Sequence, residues 1–393
     1  MAQYPYPDEP EWWSRVYMET IKADFKEAGR DVEQLPYQEW SELLRWFARG
    51  GYSCHEMPQE AALIKHQREW REELGLPVPD PPTPALQPLR VKDHVFTLAD
   101  GTLWTMVECS DFNLLGRYLN GEDIRPVLEQ RKACGYNTLR VFTAYDVVGI
   151  GTLKPSDALY DAIPSFLDLC ASYGFYVELV AFTGPYDTLF VNDAAKVRHW
   201  ELLIWACSGL TNVLLELVNE GDHQANKDIP FSQLRQPPNV VCSHGSAMAD
   251  HPPMQPVWVY SSYHSNGLSE WWRKTGHNSM EMGDTYGGPC TGNENTRYTD
   301  SDSNQTHASE AARAAALLCA GSCYHSVRGK SSQLWDGQEL VCAQAWASGA
   351  RSVDLTFQVG QYHHRKDLET PGVLRAYDRT LSNGQAFIVI IHE

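Results

Sequence analysis

Between residues 103 and 350 short apolar runs alternate with longer stretches of helical periodicity, and no other feature constrains the fold as strongly. The runs are LWTMVEC (103–109), NTLRVFT (137–143), YVELVAF (176–182), NVLLELVNE (212–220), NVVCSHG (239–245), PVWVYSSYH (256–264), GPCTGNE (288–294) and SCYHSV (322–327). The helical stretches are EDIRPVLEQRKACG, DALYDAIPSFLDLCASYG, DAAKVRHWELLIWACSG, LSEWWRKTG, HASEAARAAALLCAG and DGQELVCAQAWASG. Strands this apolar belong in a sheet covered on both faces. Several of the helices close on glycine, which suits a left-handed C-terminal cap. Strand–helix units over about 250 residues predict an α/β fold, a (β/α)8 TIM barrel. An open doubly wound sheet is the competing architecture, but no Gly-rich phosphate turn follows the first strand. The thinnest unit is 221–238, where only IPFSQLR is available for the fourth helix.

Ahead of the barrel, residues 1–75 carry apolar residues at helical spacing and predict a helical N-terminal region. Six prolines between positions 77 and 88 cannot continue a helix, so 76–91 reads as an extended linker. The barrel is expected over 92–350, entered through a small hairpin turning at Asp100-Gly101. Residues 351–393 are expected to form a β appendage. It ends in a hairpin with Asn383-Gly384 as a two-residue turn, packed on the barrel's outside or standing alone.

Lys+Arg is 32 against 50 Asp+Glu, a formal net charge of −18, which disfavours nucleic acid and anionic membranes as partners. No apolar run approaches the roughly 20 residues of a membrane span. The opening MAQYPYPDEPEWW does not read as a secretory signal. The 10 cysteines lack CxxC or zinc-type spacing and read as buried free thiols suited to a reducing compartment. Synthesis in a cytoplasm, with release by lysis or carriage on a virion, is the expectation that fits. The 13 Trp and 19 Tyr supply flat faces that stack on sugar rings as well as core.

A barrel of this kind gathers its active site at the C-terminal ends of its strands. Strand two carries Arg140, and strand four ends in Asn219-Glu220. Strand five ends near His244, strand six in Tyr263-His264, and strand seven in Asn293-Glu294. Strand eight ends near His325, with Trp335 in the following loop. Two glutamates thus end strands four and seven. A pair of carboxyl groups facing across a pocket is what glycosidic cleavage needs, one as proton donor and the other as nucleophile or as activator of water. An arginine in an apolar strand needs a carboxylate partner. Here that partner is Glu294, or a structural Glu178 or Glu216. Glu281 and Asp284 are weaker alternatives to Glu294.

The strand-four LELVNE, the strand-two NTLRVF and the strand-seven glutamate resemble the clan A glycoside hydrolases, nearest the family-five cellulases and mannanases. The resemblance covers roughly residues 92–350. It implies a retaining mechanism on a β-linked polysaccharide or oligosaccharide. Glu220 becomes the acid/base, Glu294 the nucleophile, Arg140 its support and Asn219 a sugar hydroxyl contact. His264 and Trp335 match an aromatic-His strand end and a tryptophan after strand eight. Tyr263, His325 and His244 join them as candidate substrate contacts. No cofactor or metal is required. Gly221 stands where that clan often has proline, and Asn266 where it has an aromatic residue, so the pattern does not name the sugar. The helical extension before such a barrel resembles uncharacterised bacteriophage-encoded proteins.

Two other readings compete. The barrel could be a non-catalytic carbohydrate-binding or virion component. Alternatively, Asp222, His223, His244, His251 and His264 could hold a hydrolytic metal, though no HxH follows the first strand. A serine nucleophile is disfavoured because no G-x-S-x-G elbow occurs.

Overall fold

The computed structural model describes residues 86–393 apart from 148, 184–188, 222–225, 227, 239, 248–257, 264–288, 298–304, 327–330 and 393, together with Lys26 and Gly29. The side chains of 247, 263, 292–297, 305–307, 374, 375, 391 and 392 are also outside the description. The helices expected over 1–75 and 268–276 therefore lie outside the described residues. The chain divides into two compact units, Met1–Thr83 and Pro84–Glu393.

The second unit opens with a three-stranded antiparallel sheet, β1 (Arg90–Lys92), β2 (Val95–Thr97) and β3 (Leu103–Trp104). The turn between β2 and β3 closes at Gly101, whose φ of 88° suits glycine, and whose amide donates to the Leu98 carbonyl. Next come β4 (Met106–Ser110), α1 (Leu114–Leu119), α2 (Arg125–Cys134), β5 (Thr138–Phe142) and a β6 (Tyr145–Val147)–β7 (Gly151–Leu153) ribbon. They are followed by α3 (Asp157–Ser172), β8 (Tyr176–Phe182), α4 (Asp193–Ala206), β9 (Val213–Val218), β10 (Val241–Ala247), β11 (Tyr260–Tyr263) and β12 (Cys290–Arg297). The barrel ends with α5 (Gln305–Leu318), β13 (Gly321–His325) and α6 (Gly337–Arg351).

Strands β4, β5, β8, β9, β10, β11, β12 and β13 pair in that order, all parallel, and β13 returns to β4. The expected (β/α)8 barrel is therefore closed. Two of its helices start at a side-chain cap. The side chain of Ser156 accepts from the Leu159 amide ahead of α3, and that of Asn192 from the Ala195 amide ahead of α4. Between β9 and β10 the described residues contain only a 3-10 turn, Phe231–Gln233, where a full helix would complete the pattern.

The opening sheet serves the barrel as a plug. Phe96 and Trp104 pack with Met106, Tyr176, Leu214 and Tyr260, which lie at or near the starts of their strands. The N-terminal end of the barrel is thus filled with edge-to-face aromatic contacts, Phe96–Tyr260 at 5.6 Å and Trp104–Tyr176 at 5.1 Å.

After α6, β14 (Gln361–His364), β15 (Val373–Thr380) and β16 (Ala386–His392) form an antiparallel sheet. Tyr377 and Val389 of this sheet pack against Ala314, Ala315, Leu317 and Leu318 of α5. The terminal hairpin is present, but its turn differs from expectation. Leu381 and Gln385 pair across a three-residue loop, Gly384 sits at φ 83°, and its amide donates to the Leu381 carbonyl. Only the glycine takes a left-handed conformation, so this is a turn followed by a glycine bulge and not a two-residue turn.

Candidate active site

The inside of the barrel above its aromatic plug is charged. Arg140 on β5 is fully buried. Its Nε donates to Glu216 Oε2 at 2.8 Å and its Nη2 to Asn219 Oδ1 at 2.8 Å. Glu178 Oε2 is 3.3 Å from Arg140 Nε. Parallel pairing explains the assembly, because Arg140 lies beside Glu178 on β8, and Val180 lies beside Glu216 on β9. Among the described side chains, Glu178 and Glu216 are the partners the structure brings to Arg140.

Glu108 on β4 is a third buried carboxyl in the same layer. Burial pushes its pKa well above the usual carboxylate range, and the neighbouring Glu178 pushes it further against the pull of Arg140. Burial, and then Glu216, raise Glu178 to about 7, again opposed by Arg140. The Tyr260 hydroxyl donates to Glu178 Oε1. A dry interior favours the neutral form of Glu108 and Glu178 beside Arg140.

Above this layer sits the end of β9. Asn219 and Glu220 follow Val218 directly, as expected. Glu220 is half-buried and has a φ of 50°, left-handed for a residue with a side chain. Four hydrogen bonds hold this backbone. The Glu220 amide donates to Ser246 Oγ at 3.0 Å, and the Gly221 amide to the Ser246 carbonyl at 2.9 Å. Asn226 Nδ2 donates to the carbonyls of Asn219 and Glu220. The Ser246 amide in turn donates to Glu216 Oε1 at 3.1 Å, which joins the clamp to the charged layer. One wall of this end is apolar, with Phe112 stacked on Phe142 at 3.7 Å and the Arg140 guanidinium 4.8 Å from the Phe142 ring.

The other sequence candidates fall in different places. Glu294 lies within β12 and not at its end, because the strand continues to Arg297. Its register against β13 shifts between Gly292 and Thr296, around the polar stretch Asn293-Glu294-Asn295. The Glu294 side chain is outside the described set. Tyr263 closes β11, with its side chain likewise undescribed, and His264, Glu281, Asp284, Asp222, His223 and His251 lie outside the described residues. His325 closes β13 and is buried.

His244 does not join Glu220. Its ring packs against Trp258 at 4.8 Å and Phe231 at 5.3 Å, and Trp258 lies against Trp200 of α4. This is the layer outside the strands, and burial there lowers the His244 pKa to about 4. Trp335 is also packed away, 2% exposed, with Nε1 donating to Ser326 Oγ at 2.9 Å and the Arg131 guanidinium 3.5 Å from its ring. Arg131 is itself held by both oxygens of Asp111 at 2.9 Å. Among the described residues, no three His, Cys, Asp or Glu side chains come together as metal ligands.

Glu216, Glu178, Glu108, Ser246 and Asn226 were not singled out as parts of the site from sequence. Two of the glutamates were legible only as possible partners for Arg140. Ser246 and Asn226 act through the backbone of another segment, for which a sequence has no spacing signal.

No known protein family matches the sequence, and no curated protein is similar to it. Solved structures do match. A putative glycoside hydrolase from Bacteroides vulgatus is 12% identical with a TM-score of 0.55, over 75% of this chain and 67% of that one. A second glycoside hydrolase is 13% identical with a TM-score of 0.53, over 75% of this chain and 81% of that one. A family 5 glycoside hydrolase from Bacteroides vulgatus is 12% identical with a TM-score of 0.51, over 75% of this chain and 78% of that one. In fold, this chain is a (β/α)8 barrel of the kind seen in family 5 glycoside hydrolases.

Proposed function

We propose that the chain is a retaining glycoside hydrolase acting on a β-linked polysaccharide. The observation that carries this reading is the end of β9. There Asn219-Glu220 leaves the strand at the C-terminal end of the barrel, in a strained conformation, tied to a buried arginine. Strain of this kind in a non-glycine residue persists where the surrounding structure over-determines it, and functional sites are where it gathers. The solved barrels of similar fold are glycoside hydrolases.

In this reading Glu294 attacks the anomeric carbon while Glu220 donates a proton to the departing glycosidic oxygen. Glu220 then takes a proton from the water that attacks the glycosyl-enzyme, and the sugar leaves with its configuration retained. Arg140, with its second layer of carboxyl partners, fixes Asn219 for a sugar hydroxyl. Tyr263, His264 and His325 are the remaining candidate contacts. A mannan or glucan is the substrate class that the LELVNE and NTLRVF motifs favour.

The test is reducing-sugar release from β-mannans, β-glucans, xylans and galactans by wild type, Glu220→Gln and Glu294→Gln. Both variants should keep the wild-type melting temperature and lose at least about a thousandfold in rate. NMR of the first-formed anomer should show retention. Turnover by either folded variant near the wild-type rate would refute the paired-carboxyl mechanism. Unhydrolysed binding of one of these polymers would favour a carbohydrate-binding role instead.

A further inference from the structure

We propose that Ser246, presented by a bulge at Gly245, is the positioning residue that holds Glu220 in its left-handed conformation and so sets the direction in which its carboxyl leaves the backbone. The proposal rests on the reading of Glu220 as proton donor.

The argument begins with the register of β10. Ser243 pairs with Tyr260 and Ser246 with Ser262, so three steps on β10 match two on β11. In a regular strand Ser243 and Ser246 would point to opposite faces. The extra residue brings both to the inner side, Ser243 Oγ lying 3.2 Å from Ser262 Oγ and Ser246 Oγ 3.5 Å from Asn219 Oδ1. A bulge in a parallel pair is uncommon, and bulges near active sites re-aim side chains.

Gly245 makes the bulge possible. Its φ is 137°, and a Cβ there would stand 2.3 Å from the Val218 carbonyl oxygen. Strand β10 therefore presses on the end of β9, just before Asn219. From that position Ser246 makes contacts in two directions. Its Oγ and carbonyl accept the successive amides of Glu220 and Gly221. Its own amide donates to Glu216, the partner of Arg140. Asn226 Nδ2 holds the carbonyls of Asn219 and Glu220 in the same segment. Ser246 thus links the Glu220 backbone to the charged floor, beside the bond that Arg140 makes to the Asn219 side chain.

A crystal structure and two glycoside substrates test this together. Ser246→Ala removes the acceptor for the Glu220 amide, whereas Ser246→Thr keeps a hydroxyl. In Ser246→Ala, Glu220 should leave the left-handed region, and in Ser246→Thr it should stay. On 4-methylumbelliferyl β-cellobioside or β-mannobioside, kcat should fall about 10- to 100-fold in Ser246→Ala with KM nearly unchanged. On the 2,4-dinitrophenyl glycosides, whose leaving group departs without a proton, kcat/KM should change little, whereas kcat falls where water attack assisted by Glu220 limits turnover. A purely structural role would lower both substrates equally. Ser246→Cys carries the same test should the alanine variant not fold.

An unchanged Glu220 φ in the folded alanine variant would overturn the proposal, whatever the kinetics. A wild type that hydrolyses none of these glycosides, with Glu220 displaced in the variant, would count against the glycosidase reading and leave the positioning by Ser246 standing.

Discussion

A guanidinium shut away from water needs hydrogen-bond acceptors and a counter-charge, and Arg140 donates from Nε to Glu216 and from Nη2 to Asn219, with Glu178 beside it. Among the described residues, removing it leaves the buried carboxyls of Glu108, Glu178 and Glu216 without a nearby cation. Arg140→Met should therefore lower stability by about 3–5 kcal/mol at pH 7.5 in urea denaturation. A loss below about 1 kcal/mol would show that the carboxyls manage without it. The sequence makes Arg140 conspicuous because a charge interrupts an apolar run, and the same logic finds Glu178 and Glu216 on the neighbouring runs. It does not separate a site tryptophan from a core tryptophan. Trp335 follows strand eight as expected, yet Arg131 and Ser326 draw it inside. Arg131 comes from α2, a segment that the local sequence does not bring near Trp335.

At the scale of elements, the barrel strands are legible because a strand buried on both faces has no polar alternation to obscure it. The ends are less so. Strand β12 runs on past Glu294, where the pattern ends it, through Asn295 and Thr296 to Arg297. Between β9 and β10, where the sequence offers least apolar periodicity, the described residues hold the 3-10 turn Phe231–Gln233. Helix packing also depends on residues that periodicity undervalues. Helices α5 and α6 meet through alanines and Gly349, where a Cβ would stand 2.1 Å from the Ser309 carbonyl oxygen. Backbone cannot yield as a side-chain tip can. Gly349→Ala should force the two helices apart and destabilise the protein by about 1–3 kcal/mol, measured by urea denaturation. Stability equal to wild type would mean that the helix pair can slide at no cost.

For the whole molecule, the charged barrel floor makes folding depend on pH in a direction opposite to ordinary ion pairing. Glu178 is raised from 4.5 to about 7 by burial and by Glu216, with Glu108 beside it raised as well. The groups that face Glu178 are Arg140 from β5, Glu108 from β4, Glu216 from β9 and Tyr260 from β11. A carboxyl whose folded pKa lies above its unfolded one binds its proton more tightly when folded. Its contribution is complete below about pH 4.5, falls as pH rises through the folded value near 7, and is absent above it. Glu178→Gln keeps a neutral group of the same shape, and its amide oxygen can still accept from Tyr260. Between pH 4.5 and 8 the wild type should lose on the order of 3 kcal/mol relative to Glu178→Gln in parallel urea titrations. The difference between the two proteins isolates this site from the titration of the many surface carboxylates behind the net charge of −18. The opposite sign, with wild type gaining on the variant as pH rises, would mean that Glu178 is ionised throughout and serves Arg140 as a second counterion.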